Sequence, residues 1–148
     1  MLYVPLKSAD DPTLWHNDNV ELFLDVTGKN EGQYYQFIIS PRPTVYDSHN
    51  GGTTKHGAAS WKAEGLKVGV HRGDGFWSME VYLPYTAFED EIKPGTGVQW
   101  IGQFTRHRIA SAKKKRSKEN PREYSRLNFQ FGGPSNNTGD FAPIKFVE

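Results

Sequence analysis

Val20 to Ser40 reads VELFLDVTGKNEGQYYQFIIS. In its first third, Val20, Leu22 and Leu24 alternate with Glu21, Phe23 and Asp25, the period of two that marks a strand with two unlike faces. TGKNEGQ follows, a glycine- and asparagine-containing connection of hairpin type. YYQFIIS then resumes a strand pattern rich in aromatic and β-branched residues. Tyr34 and Gln36 share one of its faces, Tyr35 and Phe37 the other. A slip of one residue would exchange them, so the sequence leaves open which pair meets the core. The stretch reads as two antiparallel strands and a turn.

The same grammar runs through the rest of the chain. LKVGVHR sets Leu66, Val68 and Val70 against polar neighbours, and WSMEVYLPY places Trp77, Met79, Val81 and Leu83 opposite Ser78, Glu80 and Tyr82. VQWIGQFTRHRI, YSRLNFQF and IKFVE complete the series. TAFEDEI, after the break at Pro84, is the one helix-like turn and is too short to form a layer. Proline and glycine punctuate nearly every gap. These features predict an all-β fold of roughly seven or more short antiparallel strands, packed as a two-sheet β-sandwich. Trp61, Trp77 and Trp100 sit at alternating positions beside aliphatic residues and read as core.

Two connections stand out. Ser40 to Ser60, SPRPTVYDSHNGGTTKHGAAS, exceeds the usual loop length and is a candidate functional loop. Ala110 to Glu123, ASAKKKRSKENPRE, carries a run of positive charge and reads as a solvated hairpin tip. Nucleic-acid binding would need a basic face with stacking aromatics, whereas the whole chain carries a net charge of only +1.

The length of 148 residues suits one domain with a real core. Cysteine is absent, so stability rests on packing rather than disulfides, and no apolar run is long enough to span a bilayer as a helix. MLYVPLKS leads straight into strand-like sequence, which suggests a piece of a larger protein. Aromatic residues make up 14% of the chain, a level that serves binding surfaces as well as cores.

The order DNVELFLDV, YYQF, VYD, SWKAEGLKVGV, GFWSMEVYLPYTAF, GVQWIGQFTRHR and finally SRLNFQFGGPSNNTGDFAPIKF resembles the family 9 carbohydrate-binding modules. These are sugar-binding domains appended to xylanases and related glycoside hydrolases. The resemblance covers nearly the whole chain. It implies a jelly-roll-like sandwich, with one or more N-terminal strands lacking here. It also implies an oligo- or polysaccharide of xylan or cellulose type as partner, a catalytic domain in the same parent chain, and an extracellular or periplasmic setting. Neither nucleic acid nor membrane is expected as a partner.

The resemblance further suggests site residues. Trp15 would stack on a sugar ring while Asp18 and Glu21, in WHNDNVE, accept hydroxyl hydrogen bonds; a pyranose has an apolar face for indole and a polar rim for carboxylates. The alternative reading makes Trp15 an edge cap and Glu21 an outward strand residue. Arg106 and Arg108 share a face with Phe104, and either could grip two hydroxyls or form a salt bridge across strands. Gln36 would lie near the sugar. Family members close the sugar with a second tryptophan before the C-terminal glycine-containing loop, but YSRLNFQFGG has none, which leaves Phe129 or Tyr124 as the opposite wall. Family members also bind structural calcium, and Asp25, Asp47, Asp74 and Asp140 stand in oxygen-rich contexts, although none forms a recognised calcium loop.

Catalysis finds little footing. The histidines at 16, 49, 56, 71 and 107 lack zinc spacing, and no Gly-x-Ser-x-Gly turn occurs. Glu21 and Glu80 could serve as an acid–base pair only if they faced each other. The resulting expectation is a non-catalytic sugar-binding domain. Its rival is a structural or interaction sandwich that has lost the sugar site. A haem site using Met79 is a third idea, opposed by the alternation of Met79 with Trp77 and Val81.

Overall fold

The computed structural model of the chain describes residues 14, 18–42, 44–50, 61–89, 92–109, 122–128 and 136–147. Among them the strands are β1 (Asn19–Asp25), β2 (Tyr34–Ile39), β3 (Val45–Asn50), β4 (Lys67–Gly73), β5 (Phe76–Tyr82), β6 (Gln99–Ile109), β7 (Arg122–Arg126) and β8 (Ala142–Lys145). Short 3-10 turns occupy Tyr85–Ala87 and Thr138–Asp140. The fold is all-β, a larger and a smaller antiparallel sheet, as the alternating pattern predicts.

The larger sheet runs β3-β2-β1-β6-β7, and β8 pairs with the first half of β6 on the same edge that β7 uses farther along. Its centre is the pairing of β1 with β6, in register from Asn19 opposite His107 to Asp25 opposite Ile101. The hairpin β1–β2 is closed by the turn after Asp25. There the Asp25 carboxylate accepts from the Thr27 and Gly28 amides at 2.9 and 3.1 Å, from the Thr27 hydroxyl at 2.6 Å and from the Asn30 amide at 2.9 Å. Gly28 and Asn30 both have positive φ, the left-handed conformation such a turn requires. The second sheet is the β4–β5 hairpin, turned by Asp74 and Gly75.

The main core lies between the two sheets. Leu22, Leu24, Tyr35, Phe37, Ile39, Val45 and Trp100 of the larger sheet meet Val68 of the hairpin, with Val70, Met79 and Val81 packed against them. Phe88, 1% exposed, sits edge-on to Tyr35, Phe37 and Trp100 and stacks on Trp61. Tyr35 and Phe37 are thus the core-facing pair of β2, and Met79 is a core residue.

Three expectations need correction. The stretch from Ser40 to Ser60 is not all loop: Val45–Asn50 is a strand paired along its length with β2. Its pattern hides the strand because the core face carries Asp47 and His49. Asp47 accepts from the Ala63 amide at 2.7 Å and the Lys62 ammonium at 3.0 Å, and His49 stacks on Tyr35 with ring centroids 4.4 Å apart. Residues 51–60 lie outside the described residues, as do 110–121 of the basic connection.

The strand expected at YSRLNFQF starts two residues earlier and ends at Arg126. Gln103 ends it, because its side chain both accepts from the Asn128 amide and donates to the Asn128 carbonyl. The third correction concerns β1. Glu21, which the resemblance made a hydroxyl acceptor and the alternative reading an outward strand residue, is buried, as are Phe23 and Asp25 beside it on that face. Phe23 packs with Ile101, Phe141 and Tyr34 in a second cluster on the far side of the large sheet. The central strand is therefore covered on both faces.

Candidate functional site

The inner faces of both sheets change character along their length. On the large sheet, β6 presents Trp100, then Phe104, then Arg106 and Arg108, while β1 presents Leu24, Leu22 and Val20. On the hairpin, the facing pairs run Val68 with Val81, Val70 with Met79, and Arg72 with Trp77. At one end apolar side chains fill the space between sheets; at the other, arginines hold it open. The result is a cleft of about 520 Å³, the size of a small-molecule site. Arg42, Arg72, Arg106, Arg108, Trp77 and Phe76 form most of its wall, with Asp18 at the side.

Each guanidinium has a different status. Arg72 donates through Nε, at 2.8 Å, and through its second terminal nitrogen to the Pro41 carbonyl, which ties the hairpin to the β2–β3 connection. Arg108 faces Glu123 of β7 at 3.3 Å, an exposed pair worth little to stability. Arg42 is anchored by its backbone, since its amide donates to the Ser40 hydroxyl and its carbonyl accepts from it. The guanidinium groups of Arg42 and Arg106 are exposed and have no hydrogen bond or ion pair among the described residues. Trp77 is half-buried and lies outside the core cluster, while Phe76 is 58% exposed. The expectation that Trp77 belongs to the core is therefore corrected: it walls the cleft.

The far face of the large sheet carries a separate polar group. Glu21 pairs in register with Thr105 and Ile38, and its carboxylate receives Gln36 Nε2 at 3.4 Å and lies 3.5 Å from His107 Nδ1. Glu21, Thr105 and His107 are buried, and Tyr124 packs edge-on against the His107 ring. Burial makes the charge of Glu21 costly unless it is matched, and the Gln36 side-chain amide donates to it there. Glu80 sits on the hairpin in register with Gly69, so it makes no cross-strand pair with Glu21.

The sequence-predicted residues thus divide. Asp18, Arg106 and Arg108 come together at the cleft; Glu21 and Gln36 come together on the opposite face. Trp15 and Phe129 lie outside the described residues. Tyr124 neighbours His107, and the backbone of Asn128 is held by Gln103.

The aspartates considered for calcium do not gather. Asp25 and Asp47 are committed to protein donors, Asp74 is exposed in the hairpin turn, and Asp140 is buried with neither carboxylate oxygen hydrogen-bonded among the described residues. Among the described residues no group of three or more histidine, aspartate or glutamate side chains could hold a metal. The four aspartates do not fit a shared calcium site.

Sequence reasoning missed Arg42, Arg72 and Trp77. The available sign was in HRGDGFW, where an arginine and a tryptophan flank a two-residue turn on the core-facing side of an otherwise aliphatic hairpin. Compared with known proteins, the chain matches no family model, no curated protein and no solved structure.

Proposed function

We propose that this chain is a non-catalytic carbohydrate-binding domain that holds an oligo- or polysaccharide of xylan or cellulose type, close to a catalytic domain of the same parent protein. The observation carrying this reading is the meeting of Asp18, Arg106 and Arg108 with Trp77 and Phe76 in one open cleft. A sugar ring needs an aromatic wall for its axial hydrogens and directional groups for its hydroxyls, and the cleft offers both. Trp77 is the platform in this reading, with Arg106, Arg108 and Asp18 as hydroxyl partners. A small polar ligand buries few atoms, so affinity falls in the micromolar to millimolar range. Tethering to a catalytic domain would raise the local substrate concentration.

A second reading, a structural sandwich without a sugar site, draws on the burial of Glu21, which removes one expected hydroxyl acceptor from solvent. Titration with xylo- and cello-oligosaccharides, followed by tryptophan fluorescence, separates the two. Sugar binding predicts a saturable change that Trp77→Ala abolishes. A change lost instead in Trp15→Ala would move the platform, and no response to any oligosaccharide would leave the structural reading.

A further inference from the structure

We infer that the cleft selects acidic saccharides, with the carboxylate of a uronic acid held by Arg106 and Arg42 while its ring, or the one beside it, lies against Trp77. The inference rests on the carbohydrate reading and narrows its ligand class.

Four guanidinium groups line the cleft, and two carboxylates, Asp18 and Glu123, stand against them. The whole chain balances 18 basic against 17 acidic residues, so this excess is a local concentration of charge and not a property of the composition. Arg72 is occupied in holding the Pro41 carbonyl and acts as a positioning residue for the loop that carries Arg42. Arg108 is answered by Glu123.

Arg106 and Arg42 remain, one on the rigid β6 strand between β1 and β7, the other on a connection fixed by Ser40. Each presents a planar set of donors suited to the two oxygens of a carboxylate. Neutral hydroxyls satisfy donors one at a time and leave the charge unmatched. A carboxylate satisfies both donors and charge, and the partly enclosed walls strengthen that attraction relative to open water. Trp77, in register opposite Arg72, provides the apolar surface that an inorganic anion would not use.

The test measures calorimetric affinities of the full chain for three probes: a neutral xylo-oligosaccharide, the same oligosaccharide bearing a glucuronic acid branch, and inorganic phosphate. The acidic sugar is expected to bind about tenfold more tightly than its neutral counterpart at about 0.02 M salt. Near 0.3 M that margin should shrink, because the attraction is screened. Arg106→Gln and Arg42→Gln should each pull the ratio of the two affinities toward one. Both side chains are exposed, and unchanged unfolding midpoints would confirm that the variants fold.

Equal binding of neutral and acidic sugars overturns this inference while leaving the carbohydrate reading in place. Phosphate binding without binding of either sugar overturns both, as does silence toward all three probes. An acid preference that survives both substitutions removes it from this cleft and overturns the assignment.

Discussion

At the residue scale, single side chains close the turns and fix the strands. Asp25 accepts four hydrogen bonds within five residues of itself, so Asp25→Ala frees several turn donors at once and should cost about 2 kcal/mol in urea unfolding. Asp25→Asn, which keeps an oxygen in place, should cost less. Gly102 of β6 leaves no room for a side chain, since a Cβ there would come 2.6 Å from the Phe23 carbonyl oxygen, with Ile144 at 3.0 Å and Leu24 at 3.1 Å. Gly102→Ala should therefore lower the unfolding midpoint, although alanine suits a strand no worse than glycine does. Burial divides the tryptophans in the same way. Trp100→Ala removes a 7% exposed ring from the core and should cost about 3–5 kcal/mol, whereas Trp77→Ala, at the cleft wall, should cost about 1 kcal/mol. Equal losses would return Trp77 to the core.

At the scale of elements, β3 shows how a strand can escape a reading based on alternation. VYDSHN has a polar residue at four of its six positions, yet it completes the sheet edge because its core-facing polar groups have partners. Asp47 joins β3 to the segment before β4 through Lys62 and Ala63. Asp47→Ala should destabilise the fold by about 2 kcal/mol and speed hydrogen exchange at the Ala63 amide ahead of that in β1. Uniform acceleration would mean that this carboxylate supports the whole fold evenly. The β4–β5 hairpin was far more legible, because Val68, Val70, Met79 and Val81 keep strict alternation up to the point where Arg72 and Trp77 take over. Periodicity located the strand; it did not tell that its last inward position opens to solvent.

For the whole molecule, the two sheets share one core, in which Val68, Val70, Met79 and Val81 of the hairpin pack with the larger sheet, and Phe88 within it touches rings from β2, from β6 and from Trp61. Phe88→Ala should cost about 3–5 kcal/mol, a large part of the roughly 5–15 kcal/mol available to a domain. Fluorescence and far-ultraviolet circular dichroism should still report one shared transition, because both sheets contribute to a single core. Separate transitions would show that the hairpin melts independently.

The sequence by itself determined the fold class, the turn after Asp25, the alternation of β1, β4, β5 and β6, and the common face of Phe104, Arg106 and Arg108. Those are local matters, settled by a side-chain period of two and by the conformational tastes of glycine and asparagine. Only the tertiary structure decided that β1 is covered on both sides, that Glu21 and Gln36 lie behind the sheet while Asp18 joins Arg106 in front of it, and that Trp77 closes a cleft with arginines from three separate segments. Alternation tells which residues share a face, but what covers that face depends on contacts between strands far apart in the chain.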